Sequence, residues 1–294
     1  MTDIYIATKP LQYMVCDIVR GGREGSIIIV DMFCESRRAY ERIKSSGLWV
    51  GAYFSRNRFF SFLRAASLRP RRLFVDGDIG TRIFLYLAIV KLFSPSVRIY
   101  VYEEGVGTYR NDIYKINAWR RAKARILTSV GVATYFGGSF FCSGVYVFKP
   151  NEYVDKVKPK ARAEIRGIKE PLLSYCEREM DSLRYIFTGR TRFEFEGNKL
   201  CVIYLSDWEL RESVREDLLS YGDDCFKIVK PHPHILTYPR EWGGADWVAD
   251  ASLPAELLVI EAMAAFEKIV VIHHGSSVAS YVAGGNVVYR LVEI

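Results

Sequence analysis

Four histidines are the scarcest chemistry-bearing residues in this 294-residue chain, and they fall in two places. His232 and His234 lie in Lys230-Pro-His-Pro-His234, and His273 and His274 lie in His273-His-Gly-Ser-Ser277. A histidine held between prolines has a stiff backbone around it, which suits an imidazole that must be presented in one orientation. Gly275, Ser276 and Ser277 offer backbone N–H groups and two hydroxyls, the makings of a phosphate cradle, and Lys230 adds a cation for an anionic ligand. Earlier, Glu103-Glu-Gly105 places two adjacent carboxylates before a glycine. Neighbours on extended chain point opposite ways, so one of the two is a candidate general base, its pKa raised by burial and by its neighbour's charge. The plainer alternatives are a turn histidine, N-cap serines and a solvated acidic turn. Gly105-Val-Gly107 is a weak match to a dinucleotide loop, because Arg110 stands where the third glycine belongs.

The elements that must position these residues alternate short β-branched runs with longer helical patterns. Ile4–Ala7, Ser26–Asp31, Arg72–Asp76 and Val97–Tyr102 read as strands of a first half, and Leu200–Leu205, Phe226–Val229, Trp247–Ala249, Lys268–Ile272 and Asn286–Arg290 as those of a second. That pattern predicts βαβ units, parallel sheets and an α/β fold with two Rossmann-like halves. The polar, basic stretch 156–171, bracketed by prolines, puts the boundary near residue 158, giving domains 1–158 and 159–294. Ser206-Asp-Trp-Glu209 reads as a capping box opening a helix to about Tyr221, and Pro254 sits at the start of another running from Ala255 to about Phe266. In such sheets ligands bind at the carboxyl ends of the strands, where these motifs fall.

Half of the chain is apolar, so a substantial core can form, and disordered or disulfide-stapled classes are excluded. The six cysteines are far apart, with no C-x-x-C, which predicts a reducing, cytosolic address and no cysteine zinc site. The N-terminus has no basic region leading into a long apolar run, so a signal peptide is not expected. The charge-free span 126–148 is long enough to cross a bilayer but is broken by four glycines, which predicts a loop-and-strand passage. Net charge is +7. Six arginines lie in Arg56–Arg72, among them Arg69, Arg71 and Arg72, interleaved with Phe59, Phe60 and Phe62, and Trp119–Arg125 is a second basic cluster. Such stretches suit an anionic membrane surface or an acidic acceptor, or form a solvated basic face; no recognition motif for nucleic acid accompanies them.

Glu-Glu-Gly at 103–105, His-Pro at 232–233 and Ser-Ser at 276–277, in that order, resemble the scattered motifs of bacterial sialyltransferases and polysialyltransferases. The Thr8-Lys-Pro-Leu-Gln12 segment is similar to their N-terminal Pro-Leu-Gln, and Pro254-Ala-Glu256 to a stretch between the other two motifs. The resemblance implies a GT-B fold whose two parallel sheets face a central cleft, and metal- and cofactor-independent, inverting transfer. The donor would be a CMP-activated sialic or related nonulosonic acid, and the acceptor a bacterial surface glycan or glycolipid. Carried over by position, Glu104 is the base, with Glu103 as fallback and Gln12 and Gly105 at the acceptor. His232 contacts the leaving phosphate beside Pro233, Ser276 and Ser277 bind it with Lys230, His274 and Gly275 alongside, and Glu256 holds the cytidine ribose. Outside that resemblance, another activated-sugar transferase, a metal hydrolase ligated by the four histidines, and a non-catalytic glycan-binding protein remain alternatives.

Overall fold

The computed structural model describes all residues except 1, 113–117, 160–162, 194, 196–198 and 293–294. Two compact units result, one formed by residues 1–32 and 43–171, the other by 33–42 and 172–294.

The first chain segment runs β1 (Asp3–Ala7), α1 (Pro10–Arg20), β2 (Gly25–Val30), α2 (Ser36–Ser46), β3 (Gly51–Ser55), α3 (Arg58–Leu68), β4 (Arg72–Val75), α4 (Gly80–Phe93) and β5 (Arg98–Tyr102). A short 3-10 turn, Val106–Tyr109, precedes α5 (Ala118–Ser129), β6 (Cys142–Val147), α6 (Pro150–Val157) and β7 (Glu164–Gly167). All neighbouring strands pair in parallel in the order β3-β2-β1-β4-β5-β6-β7. Strands β1, β2, β4 and β5 are almost wholly buried because helices cover both faces, so their residues are apolar without alternation. One face packs Ile4, Ile6, Ile28, Leu73, Val75, Ile99 and Val101 against Phe62 of α3 and Leu87 of α4.

The second unit contains α7 (Leu172–Thr188), β8 (Leu200–Leu205), α8 (Glu212–Leu219), β9 (Cys225–Lys230), β10 (Trp247–Val248), α9 (Ala255–Ala265), β11 (Lys268–His273), α10 (Val278–Tyr281) and β12 (Val287–Leu291). Its parallel order, β10-β9-β8-β11-β12, repeats the pattern of the first sheet. In each sheet the order reverses at one place, between β1 and β4 and between β8 and β11. At such a switch point the connecting helices leave to opposite faces and open a crevice.

Three expectations need correction. Strands β3 and β7 were not legible: β3 is Gly-Ala-Tyr-Phe-Ser and half-buried, and β7 is a charged, half-exposed edge inside the stretch read as a linker. The first sheet thus continues past residue 158, and the units divide after Pro171; part of that stretch, 160–162, lies outside the described residues. Ser206 does not open a helix, and α8 starts only at Glu212, because the Ser206 hydroxyl has another partner. The charge-free span 126–148 comprises the end of α5, a loop and β6, and among the described residues no helix is long and apolar enough to cross a membrane. All six cysteines are free and buried.

Candidate active site

In the first unit, the candidate side chains gather at the carboxyl edge of the sheet around the β1/β4 switch point. Thr8 follows β1 and precedes α1, whose first residue is Pro10, where a missing N–H costs nothing. Gln12 is fully buried, and its Oε1 lies 2.7 Å from both N and Oγ1 of Thr8. Asp76 follows β4; its Oδ2 is 2.9 Å from Thr8 Oγ1 and 3.1 Å from Gln12 Nε2, and it ion-pairs with Arg58. Gln12 is therefore a bracket for Asp76 rather than an open acceptor contact.

The Glu103–Glu104 pair separates cleanly. Glu103 is completely buried, and its Oε2 receives hydrogen bonds from Tyr109 Oη at 2.5 Å and from the Phe148 N–H at 2.7 Å. It holds the turn after β5 to the end of β6. Glu104 points the other way, partly open to solvent, with its own N–H bonded to Thr108 Oγ1 at 2.9 Å. Burial raises its pKa above the usual carboxylate value, while Lys9 and Arg58 oppose that rise and Asp76 adds to it. Gly105, at φ +128, makes a turn that a side chain would strain. A Cβ on Gly107 would come within 2.9 Å of Glu104 Oε1, so any side chain there would push the carboxylate from its present place. A partly open carboxylate with a raised pKa, beside Lys9, can take a proton from a hydroxyl.

In the second unit, Ser206 follows β8, and its Oγ accepts the His232 N–H at 2.9 Å. The His234 N–H donates to His232 Nδ1 at 3.2 Å, which fixes Nδ1 as acceptor and leaves Nε2 to carry the proton of the neutral ring. Trp208 stacks on His234 at 5.1 Å with the rings 2° apart and lies 5.0 Å from the His232 ring. The Pro233 carbonyl accepts the Cys34 N–H at 2.8 Å, anchoring residues 33–42 to this loop.

Several assigned roles change. Lys230 is buried and binds the carbonyls of Pro231 at 2.6 Å and Ala251 at 3.1 Å; burial lowers its pKa to about 7 despite the nearby Glu256. It ties two loops together and offers no open cation to a ligand. The Gly275 and Ser276 N–H groups both donate to His273 Nδ1 at 3.1 Å, so they form no empty phosphate cradle. His274 Nδ1 sits 3.1 Å from the Val292 carbonyl, with Nε2 3.4 Å from Tyr204 Oη, a position that braces the strand ends. The His232 ring and the Ser276 hydroxyl are the polar groups left as candidates for an anion, because the Ser277 hydroxyl already donates to Glu256. Ser276 Oγ accepts the Val278 N–H at 3.3 Å and keeps its own proton to donate. Glu256, in the first turn of α9, is buried with a raised pKa, and Ser277 Oγ lies 3.4 Å from its Oε1.

Asp76, Arg58, Ser206 and Trp208 were missed in the sequence. The Val-Asp-Gly-Asp run at 75–78 was the one signal for Asp76, and it acquires meaning only once β4 is known to neighbour β1. Among the described residues no three His, Cys, Asp or Glu side chains are grouped to hold a metal ion, so the four histidines make no common ligand set. Arg72 pairs with Asp3, and Arg69 and Arg71 are exposed beside it at the amino edge of the sheet, the end away from these residues.

No family model matches the chain, and no curated protein matches it. Among solved structures, the wall teichoic acid polymerase TagF aligns with a TM-score of 0.51 at 15% identity, over 94% of this chain and 66% of that one. The fold is GT-B. A TagF variant soaked with CDPG for 30 minutes gives the same values, and UDP-N-acetylglucosamine 2-epimerase from Rickettsia bellii aligns with a TM-score of 0.46 at 12% identity over 92% and 73%. This GT-B chain spans 66% of the TagF chain. At these identities the likeness extends to the fold alone.

Proposed function

We propose that this chain is a glycosyltransferase that moves sialic acid, or a related nonulosonic acid, from a CMP-activated donor to a glycan hydroxyl. The observation that carries the reading is the separation of the carboxylate pair: Glu104 partly open with a raised pKa, Glu103 buried and tethered. Glu104 takes the acceptor proton as the hydroxyl oxygen forms its bond to the anomeric carbon from the face opposite the departing CMP. The bond from that carbon to the phosphate oxygen breaks, and the phosphate leaves with the electron pair. His232 and the Ser276–Ser277 pair are the groups assigned to offset the charge gathering on that oxygen. The order of the acidic, His-Pro and Ser-Ser motifs supports the CMP-sugar donor, and the GT-B fold supports nucleotide-activated transfer.

A second reading, a transferase of another activated donor on the same fold, is favoured by the likeness to TagF, a variant of which was soaked with CDPG. Thermal melting with CMP, UDP, GDP, CMP-sialic acid and CDPG separates the two. A ligand bound only by the folded chain raises the midpoint by mass action. A shift with CMP and CMP-sialic acid, with transfer to a glycan acceptor, supports the first reading; a shift with CDPG and none with CMP-sialic acid replaces it with the second.

A further inference from the structure

The two basic clusters behave differently once folded. In α3, Phe62, Ala65 and Ala66 enter the core, Arg58 pairs with Asp76, and Phe59 packs on Tyr86 of α4 with ring centroids 5.4 Å apart. Helix α5 has no buried residue at all. Trp119, Ala122, Ile126 and Val130 recur at spacings of three and four and so form one apolar stripe along the helix and its end. On a core-packed helix such a stripe faces inward. Here it is turned to solvent, with Trp119 77%, Ile126 66% and Val130 61% exposed. The half-buried side is Ala124, Leu127 and Thr128 instead.

The apolar surface extends beyond the helix. Phe140, 62% exposed, bonds through its N–H to the Gly131 carbonyl at 2.8 Å, and Val130 and Phe140 both line a cavity of about 510 Å³. Arg120, Arg121, Lys123 and Arg125 flank the stripe, and Ala118–Ser129 contains no acid. We propose that α5, with Phe140, is a docking surface for an anionic lipid bilayer.

The apolar stripe enters the acyl boundary, the indole of Trp119 sits at headgroup depth, and the long basic side chains reach lipid phosphates from the flanks. A second copy of the chain fits poorly, since each would bring the same four cations to the contact. Nucleic acid would use the cations and leave the stripe in water. This surface is independent of the transferase reading.

Flotation of the full chain with phosphatidylglycerol–phosphatidylcholine vesicles, and with phosphatidylcholine alone, tests it. The chain binds the anionic vesicles, and the neutral ones far less. Arg121→Ser/Lys123→Ser/Arg125→Ser loses roughly fivefold in partitioning per charge, about a hundredfold in all, at low salt. Trp119→Ser/Ile126→Ser loses at least about tenfold, a loss that persists at high salt, where screening removes the charge contribution. Because these side chains are exposed, both variants melt like the parent chain. Variants that bind like the parent, equal binding to neutral vesicles, or no vesicle binding overturn the proposal. So does a dimer, seen by sedimentation, that either variant dissociates.

Discussion

Lys9 Nζ stands 3.9 Å from Glu104 Oε2, at the N-cap of α1 on one side and the end of β5 on the other. The cation favours the ionised carboxylate that burial disfavours, so the two effects act on Glu104 in opposite directions. A base works only when deprotonated. Transfer should therefore fall as pH drops through the raised Glu104 pKa, and Lys9→Met, by removing the opposing cation, should move that acidic limb to higher pH. A limb that stays in place in Lys9→Met would show that another group sets it.

Glu104→Gln keeps the shape of the side chain but cannot take a proton, so transfer should fall by roughly a hundredfold or more with thermal stability unchanged. Glu103→Gln should do the reverse. It weakens the charge-assisted bonds from Tyr109 and Phe148 and lowers stability by about 1–3 kcal/mol, measured by urea titration, while turnover of the folded fraction survives. If Glu103→Gln is the inactive variant, the assignment of the base is reversed.

Gly107→Ala brings a methyl carbon within 2.9 Å of Glu104 Oε1, and a carboxylate on a flexible side chain can move aside. The chain should fold normally yet lose about ten- to a hundredfold in turnover, the scale of a misplaced catalytic group. Full activity in Gly107→Ala would mean that the carboxylate works from a different rotamer.

Removing the His232 ring should reduce turnover about a hundredfold while nucleotide binding persists, as measured by steady-state kinetics and calorimetry of His232→Ala. Ser206→Ala tests how the ring is positioned. It leaves the His232 N–H without its partner, so stability should drop by about 1 kcal/mol and turnover should fall less than in His232→Ala. A Ser206→Ala protein as inactive as His232→Ala would give the hydroxyl a direct role.

Lys230 ties pH to stability in the second unit. Its folded pKa, near 7, lies below the unfolded value near 10.5, so the unfolded chain binds more protons between those limits and this group makes stability rise with pH there. Replacing Lys230 by Met should remove that rise, visible in melts at pH 7 and pH 9. An unchanged slope would show that the lysine stays protonated inside the fold.

The fold class, the central strands and the places where chemistry concentrates are legible in the residues alone. Continuous β-branched runs such as Ile27–Val30 and Ile269–Ile272 must be buried on both faces, which a parallel sheet covered by helices provides, and the histidine and acidic motifs therefore fall at strand ends. Edge strands β3 and β7 stayed hidden because one side of each meets solvent and their residues carry little periodic signal. Which of the candidate groups is tied up inside the scaffold depends on contacts that form only on folding. Lys230, His274 and the Gly275 amide look like ligand contacts on paper, yet each finds a carbonyl or imidazole partner brought near by folding. Asp76 became part of the site only when β4 paired with β1, about 70 residues away in the chain. Pairing order and hydrogen-bond partners depend on contacts between distant segments, and no local spacing encodes them.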